Sequence, residues 1–461
     1  MSSSSICVAS EAPAGRGSAL GEVFQVTSAR EKRLSRLLAA FVVSGIGFML
    51  LPGTFLGVWN LLTISGRQAA ESISPAWVQA HGQAQVFGWI GSFILGIGFY
   101  SIPKLRRAEP FALAAGWAAW SLWCSGVLLR WMANIYQWGW RVLLPLSAAL
   151  QMTAFAAFAK AVSSHRQSEA SKTTEAWLRM VMGAAAGFFL ALLVNLAACV
   201  YLALYGNGPA FPHVFDQRYL VLIAWGLLVP FVWAFSAKWL PVFLGLKPPR
   251  ESWLWRAFVA NSAGVVSALV GQMHLATVLL LAAVLLVVYG LRLLEPAQQR
   301  AKTRGVHSSF PGFVRSAYLW LLLAAALGVW AAQLESAVGV WGASRHALTV
   351  GFVSMMVFCI GQRVIPAFAG MKLLFSTRLM FLSTSALTVG CLLRVSSEVL
   401  AYQHYSVGAW KILPVSAVIE MAAVTFFGVN LLLTLSRPGT GELARVAGAG
   451  SAQMPANKPI A

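Results

Sequence analysis

Charge is scarce in this chain. Only 10% of its residues are Asp, Glu, Lys or Arg, while 58% are hydrophobic. Soluble domains carry about a quarter charged residues, so that class is excluded and a chain that threads a membrane many times is indicated. Cysteine is scarce too. There are five, and Cys124, Cys199, Cys359 and Cys391 sit inside apolar stretches. No Cys-x-x-Cys or Cys-x-x-Cys-His occurs, which leaves zinc ribbons, disulfide scaffolds and c-type haem attachment unsupported. Small core hydrophobes are the plain reading of these thiols. Walker, Gly-x-Ser-x-Gly and His-Glu-x-x-His motifs are absent. No cleavable signal is evident, because the first apolar run, about 28 residues, is longer than a signal core.

Long apolar runs take the place of charge. Twelve are legible: Leu37–Ile64, Val78–Ile102, Phe111–Leu129, Val142–Val162, Trp177–Leu204, Tyr219–Leu244, Trp255–Met273, Leu275–Leu291, Tyr318–Leu334, His346–Phe368, Leu373–Leu393 and Ile412–Leu435. A span needs about 20 apolar residues. Lipid offers the backbone no hydrogen-bond partner, so each run must be a helix. The expected fold class is all-α, a polytopic membrane protein of about twelve helices. Residues 37–435 form the membrane domain. Residues 1–36 are expected to be a disordered cytoplasmic N-terminus and residues 436–461 a disordered cytoplasmic tail. The seventh and eighth runs are separated only by a turn near Gly271–His274.

The formal charge of +20 suggests nucleic acid until its distribution is read. Arg30 to Arg36 precede the first helix, and Lys104 to Arg107 follow the second. Further clusters lie between the fourth and fifth, sixth and seventh, eighth and ninth, and tenth and eleventh helices, and Arg437 and Arg445 follow the twelfth. All fall on one side of a twelve-helix chain. This is the positive-inside pattern, which places both termini in the cytoplasm and the chain in an inner membrane. The lipid bilayer is the partner that this charge addresses, and nucleic acid is not one.

One helix occurs in three copies. The first runs from His81 to Lys104 and the last from His346 to Ala367. Both open on a His, carry Gly fifteen residues later (Gly96, Gly361) and close on Ile-Pro (Pro103, Pro366). The middle copy, Tyr219 to Val242, keeps the length and a final Pro241 but has no His. Copies at helices two, six and ten imply three pseudo-repeated units of four helices. Their heads share the outer side, so His81 and His346 form a candidate ligand pair.

On these residues the chain resembles the haem–copper oxidases, subunit I, and more closely the NnrS proteins. The segment His81-Gly82-x-x-Gln85-x-Phe87-Gly88-Trp89 with Ile102-Pro103 is similar to the NnrS second helix, and His346-Ala347-Leu348-Thr349-Val350-Gly351 to a later motif. The resemblance implies a membrane haem protein tied to nitric oxide responses or electron handling. His81 and His346 would ligate a haem, expected to be b-type, and a redox partner or nitric oxide would be the partner. Departures limit the analogy. Gln83 stands where relatives often carry a second His. Helix six, from Tyr219 onward, and helix seven, from Ala257 onward, hold no imidazole, so the oxidase copper site is missing and oxygen reduction is disfavoured. Whether copper binds elsewhere stays open.

Other residues have bland readings beside functional ones. Arg345 could pair with a haem propionate or snorkel to the interface. His274, in the seven–eight turn, could be a weak metal ligand or simply solvated. His213, His404, His165 and His307 read as solvated loop residues. Arg394 and Glu398 are four apart on one helix face and should pair. Arg363 should snorkel. Glu335 and Glu420 are proton-relay candidates if buried. Phe87, Gly88, Trp89, Gly91, Gly96 and Gly98 could wall a flat macrocycle or serve helix packing. A secondary transporter of a small anion or metabolite is the alternative to the haem reading.

The charge pattern yields a direct prediction. Alkaline phosphatase fused after Gln137, between helices three and four, will be active. The same enzyme fused after Lys172, between helices four and five, will be inactive. The reverse pattern would overturn the orientation.

Overall fold

The structure is a computed structural model that describes residues 15–105, 111–163, 175–334, 338–370 and 372–437. It holds twelve long helical rods. Helix one comprises Gly15–Phe48, a π-helical stretch Met49–Phe55 and Leu56–Arg67. Helix two comprises Pro75–Gln83, π-helical Ala84–Gly91 and Ser92–Leu105. Helices three to five are Leu113–Tyr136, Trp140–Ser163 and Ala176–Tyr205. Helix six comprises His213–Val221, π-helical Leu222–Leu228 and Val229–Leu244. Helices seven to nine are Glu251–Leu269, Met273–Gly290 and Phe310–Gln333. Helix ten comprises Val338–His346, π-helical Ala347–Ser354 and Met355–Phe368. Helices eleven and twelve are Thr377–Tyr402 and Ala409–Ser436.

Ten of the rods are long and apolar enough to cross a membrane. Helices three and seven are diluted, the former by Trp117, Trp120 and Arg130, the latter by Arg256 and Asn261. Helix three packs along helix four, and helix seven along helix eight. Helix one begins at Gly15, so residues 15–36, where disorder was expected, are helical. Ala, Leu, Glu, Gln, Arg and Lys are good helix formers, and the low hydropathy of the segment concealed that propensity. The tail beyond residue 437 lies outside the described residues. The turn between helices seven and eight closes on Gly271 at φ 91°, and His274 falls within the first turn of helix eight.

Helices two, ten and six are the innermost, with 83%, 72% and 67% of their apolar windows buried. Together they line an apolar pocket of about 110 Å³, bounded by Ile90 and Phe93 of helix two, Leu228 and Phe231 of helix six, and Val353 and Met356 of helix ten. The three copies seen in the sequence thus face one axis. Each also turns π-helical just past its head, at Ala84, Leu222 and Ala347. Such wide turns insert a residue and redirect side chains and carbonyls, and they recur at functional sites. Outward faces are apolar, with Val142, Leu285, Leu319 and Leu392 exposed, as a lipid-facing surface requires. On the basic side, Arg250 (2.7 Å) and Arg292 (3.1 Å) clasp Glu295. The hydrogen bond from Arg292 holds its carboxyl below the usual carboxylate range.

The glycines of helix two serve packing. A Cβ at Gly88 would meet Phe48 and Val127, at Gly91 Trp123, at Gly96 Phe41, and at Gly98 Phe158. Helices one, three and four fill that face, so these residues do not wall a macrocycle. The tightest crossing is between helices five and six, where a Cβ at Gly187 would strike the Gly226 carbonyl. Backbone cannot yield as a side chain tip can. Gly187→Ala is therefore expected to destabilise by about 1–3 kcal/mol, the cost of overpacking. Gly47→Ala, which meets nothing within 4 Å, will be neutral or stabilising. Equal thermal midpoints for the two variants would refute this contact.

Candidate functional site

Helix one builds the first half of the site. Pro52 removes a backbone donor within the apolar run, and the chain answers with the π-helical turn Met49–Phe55. Thr54 Oγ1 donates to the Met49 carbonyl at 2.9 Å, closing the wide turn. The Gly53 carbonyl accepts from His81 Nδ1 at 2.8 Å. Gly57, one helical turn further on, lies flat against the imidazole: a Cβ there would sit 2.7 Å from His81 Cε1. Gln85 donates to Thr54 Oγ1 at 2.9 Å and ties helix two to the same turn.

Helix ten repeats the device. His346 Nδ1 lies 2.9 Å from the Gly342 carbonyl and 3.1 Å from Glu398 Oε2 on helix eleven. Ser354 Oγ closes the π turn on the Thr349 carbonyl at 2.7 Å, as Thr54 does in helix one. Arg394 pairs with Glu398 at 3.4 Å, the expected four-residue spacing, and both are buried. Arg394 Nη2 stands 3.5 Å from His346 Nε2.

These contacts fix both tautomers. A carbonyl oxygen only accepts, so each Nδ1 carries the proton, and each Nε2 is left with its lone pair. Arg394 can only donate, which agrees with that assignment for His346. The two rings are electrostatic neighbours, and Arg394 is close to both. An imidazole with an anchored Nδ1–H and an Nε2 lone pair is the form that ligates a metal. Glu420, with Oε1 buried and unpartnered, completes the surroundings of His346 and Arg394.

The remaining sequence candidates separate. Arg345 is half-buried beside His346, with Glu398 and Asp216 as its electrostatic neighbours. His274 is exposed, 3.4 Å from Gln333 on helix nine, and does not join the pair. The turn that carries it joins helices seven and eight, in the second unit. His213 and His404 are exposed, and His307 hydrogen-bonds Ser309 at 2.7 Å. Arg363 does not snorkel freely but stacks on Phe243 and Phe310, 4.2 and 5.5 Å from their centroids. Glu335 and His165 lie outside the described residues. No group of three or more His, Cys, Asp or Glu is arranged for a metal ion among the described residues. Sequence reading missed Gly53 and Gly57, although Pro52-Gly53 inside an apolar run was a signal of a disturbed helix.

Comparison with known proteins places this geometry. A family profile described as NnrS protein matches residues 35–438. The chain belongs to the NnrS family. No curated protein matches it. Among solved structures, it is similar to a heme-copper terminal oxidase dimer determined by cryo-EM. The TM-score is 0.69 at 10% identity, covering 88% of this chain and 85% of the other. That likeness establishes a shared fold, so the NnrS chain has the helical plan of that oxidase.

The Gly57 contact can be tested without any cofactor. Gly57→Ala should destabilise the protein by about 1–3 kcal/mol through overpacking. In a His81→Ala background that cost should vanish, because the ring it strikes is gone. An equal cost in both backgrounds would show that the imidazole does not lie on helix one.

Proposed function

We propose that this NnrS protein binds haem in the inner membrane, with His81 and His346 as axial ligands, and that it acts in nitric oxide response or electron handling. The observation that carries this reading is the matched pair of tautomers. Both Nδ1 atoms are held by backbone carbonyls, which leaves both Nε2 atoms as acceptors at the same end of neighbouring inner helices, that of His346 facing Arg394. Buried polar atoms without partners also fit a bound group: Arg394 Nη1 and Glu420 Oε1. Such atoms are costly to leave unmatched.

When bound, haem would supply one-electron redox chemistry and, at a vacated axial position, affinity for diatomic gases. The residues have separate tasks. Gly53 and Gly342 hold the rings by their carbonyls. Glu398 lies against His346 Nδ1 and raises the electron density of that ring. Arg345 and Arg394 supply positive charge for carboxylates at the outer end, and Arg394 must swing from His346 Nε2 for that atom to ligate. The chain has no Cys-x-x-Cys-His, which favours a non-covalent b-type group.

Purified protein should show a Soret band in its optical spectrum. His81→Ala and His346→Ala together should abolish it. Either single variant should leave an open position and gain carbon monoxide binding. No Soret band in the wild type, or one unchanged in the double variant, would refute axial ligation.

A further inference from the structure

We propose that the first four-helix unit holds a small inorganic anion on Arg130, separate from the imidazole pair. Arg130 is 2% exposed, and no carboxylate lies within ion-pair distance of it among the described residues. Asp216, an electrostatic neighbour, is shared with Arg345. The guanidinium lies over Phe211, 4.6 Å from the ring centroid, and Nη1 meets Cys199 Sγ at 2.7 Å. Its Nε is buried without a partner. A buried cation with no carboxylate in contact is a costly arrangement in a protein, and more so where lipid surrounds the fold.

The neighbouring amides point the same way. Cys199 Sγ donates to Asn195 Oδ1 at 3.8 Å, so the free end of Asn195 is its unpartnered Nδ2. Gln83 donates to Gln151 Oε1 at 3.5 Å, so the free end of Gln151 is its unpartnered Nε2. Both residues are fully buried. Gln151 packs against Gly126, one turn below Arg130 on helix three, and Asn195 lies one turn below Cys199 on helix five. In each amide the oxygen is occupied and the N–H is spare. Three unpaired donors and one positive charge, supplied by helices three, four and five, form a set complementary to a monovalent anion of a few atoms. Asn134, one turn outward, gives its N–H to the Ala76 carbonyl at 3.1 Å. Its unpartnered Oδ1 is an acceptor outside the donor set. The donors sit about 9–16 Å below the outer helix ends at 1.5 Å per residue.

The test uses full-length purified protein in gluconate buffer, titrated with chloride, nitrite or nitrate at constant ionic strength. A ligand of the native state raises the unfolding midpoint with a saturable dependence. At least one of the three anions should do so, and Arg130→Gln should lose the shift. The His81→Ala, His346→Ala double variant should keep it, which separates this site from the haem proposal. Asn195→Asp places a carboxylate among the donors. It should fold, be more stable in gluconate than the wild type, and no longer respond to added anions. A midpoint indifferent to all three anions would overturn the proposal, and would assign the counter-charge to a Cys199 thiolate if Cys199→Ala then proved strongly destabilising. A shift that survives in Arg130→Gln, or in Asn195→Asp should Arg130→Gln not fold, would also overturn it.

Discussion

The hydrogen bond from each imidazole Nδ1 to a helix carbonyl is the interaction on which the site depends. Inside a membrane a helix normally uses every carbonyl for its own ladder. A carbonyl oxygen has a second lone pair, so a side chain can add a bond to it. In helix one the Gly53 carbonyl lies inside the π-helical turn that contains Pro52. In helix ten the Gly342 carbonyl lies four residues before His346, in the α-helical segment that precedes the π-helical stretch. Hydroxyls of Thr54 and Ser354 bond carbonyls of the two wide turns. The backbone carbonyl thus orients each ring, and ring orientation sets which nitrogen faces away from it.

Much of this plan was legible in the sequence. The number of helices, the recurrence of one helix at positions two, six and ten, and the pairing of Arg394 with Glu398 all follow from apolar run length and residue spacing. The helical start at Gly15 was not legible, because hydropathy marks burial and not helix propensity. Nor was the packing role of Gly88, Gly91, Gly96 and Gly98. Glycine beside an aromatic has the same spelling whether it accommodates a ring from the next helix or a planar ligand, and only Phe41, Trp123 and Phe158 in place resolve the two. His274 shared only the side of the membrane with the imidazole pair and read as a weak ligand or a solvated turn residue; it is exposed. It differs because no wide turn or glycine seats its ring.

The two polar regions around His346 and Arg130 obey different rules. Around His346 the charges are balanced locally, with Arg394 and Glu398 in contact and Glu420 near both. Around Arg130 the neighbours are amides, a thiol and an aromatic face. The fold is shared with an oxidase at 10% identity, so the helical frame tolerates wide change in what its inner faces carry. Helix six keeps the wide turn of helices two and ten but carries Tyr219 just ahead of it, whose hydroxyl donates to the Ala191 carbonyl at 3.3 Å.

The imidazole pair is divided between the second and the tenth helices, and its supports between the first and the eleventh. A ribosome delivers His81 to the membrane long before His346 exists. The half-site on helices one and two, with His81 clasped by Gly53, must therefore stand alone while eight further helices are inserted. Any occupant that needs both rings is admitted only after helix ten arrives. The order of synthesis thus makes completion of the pair a post-insertion event.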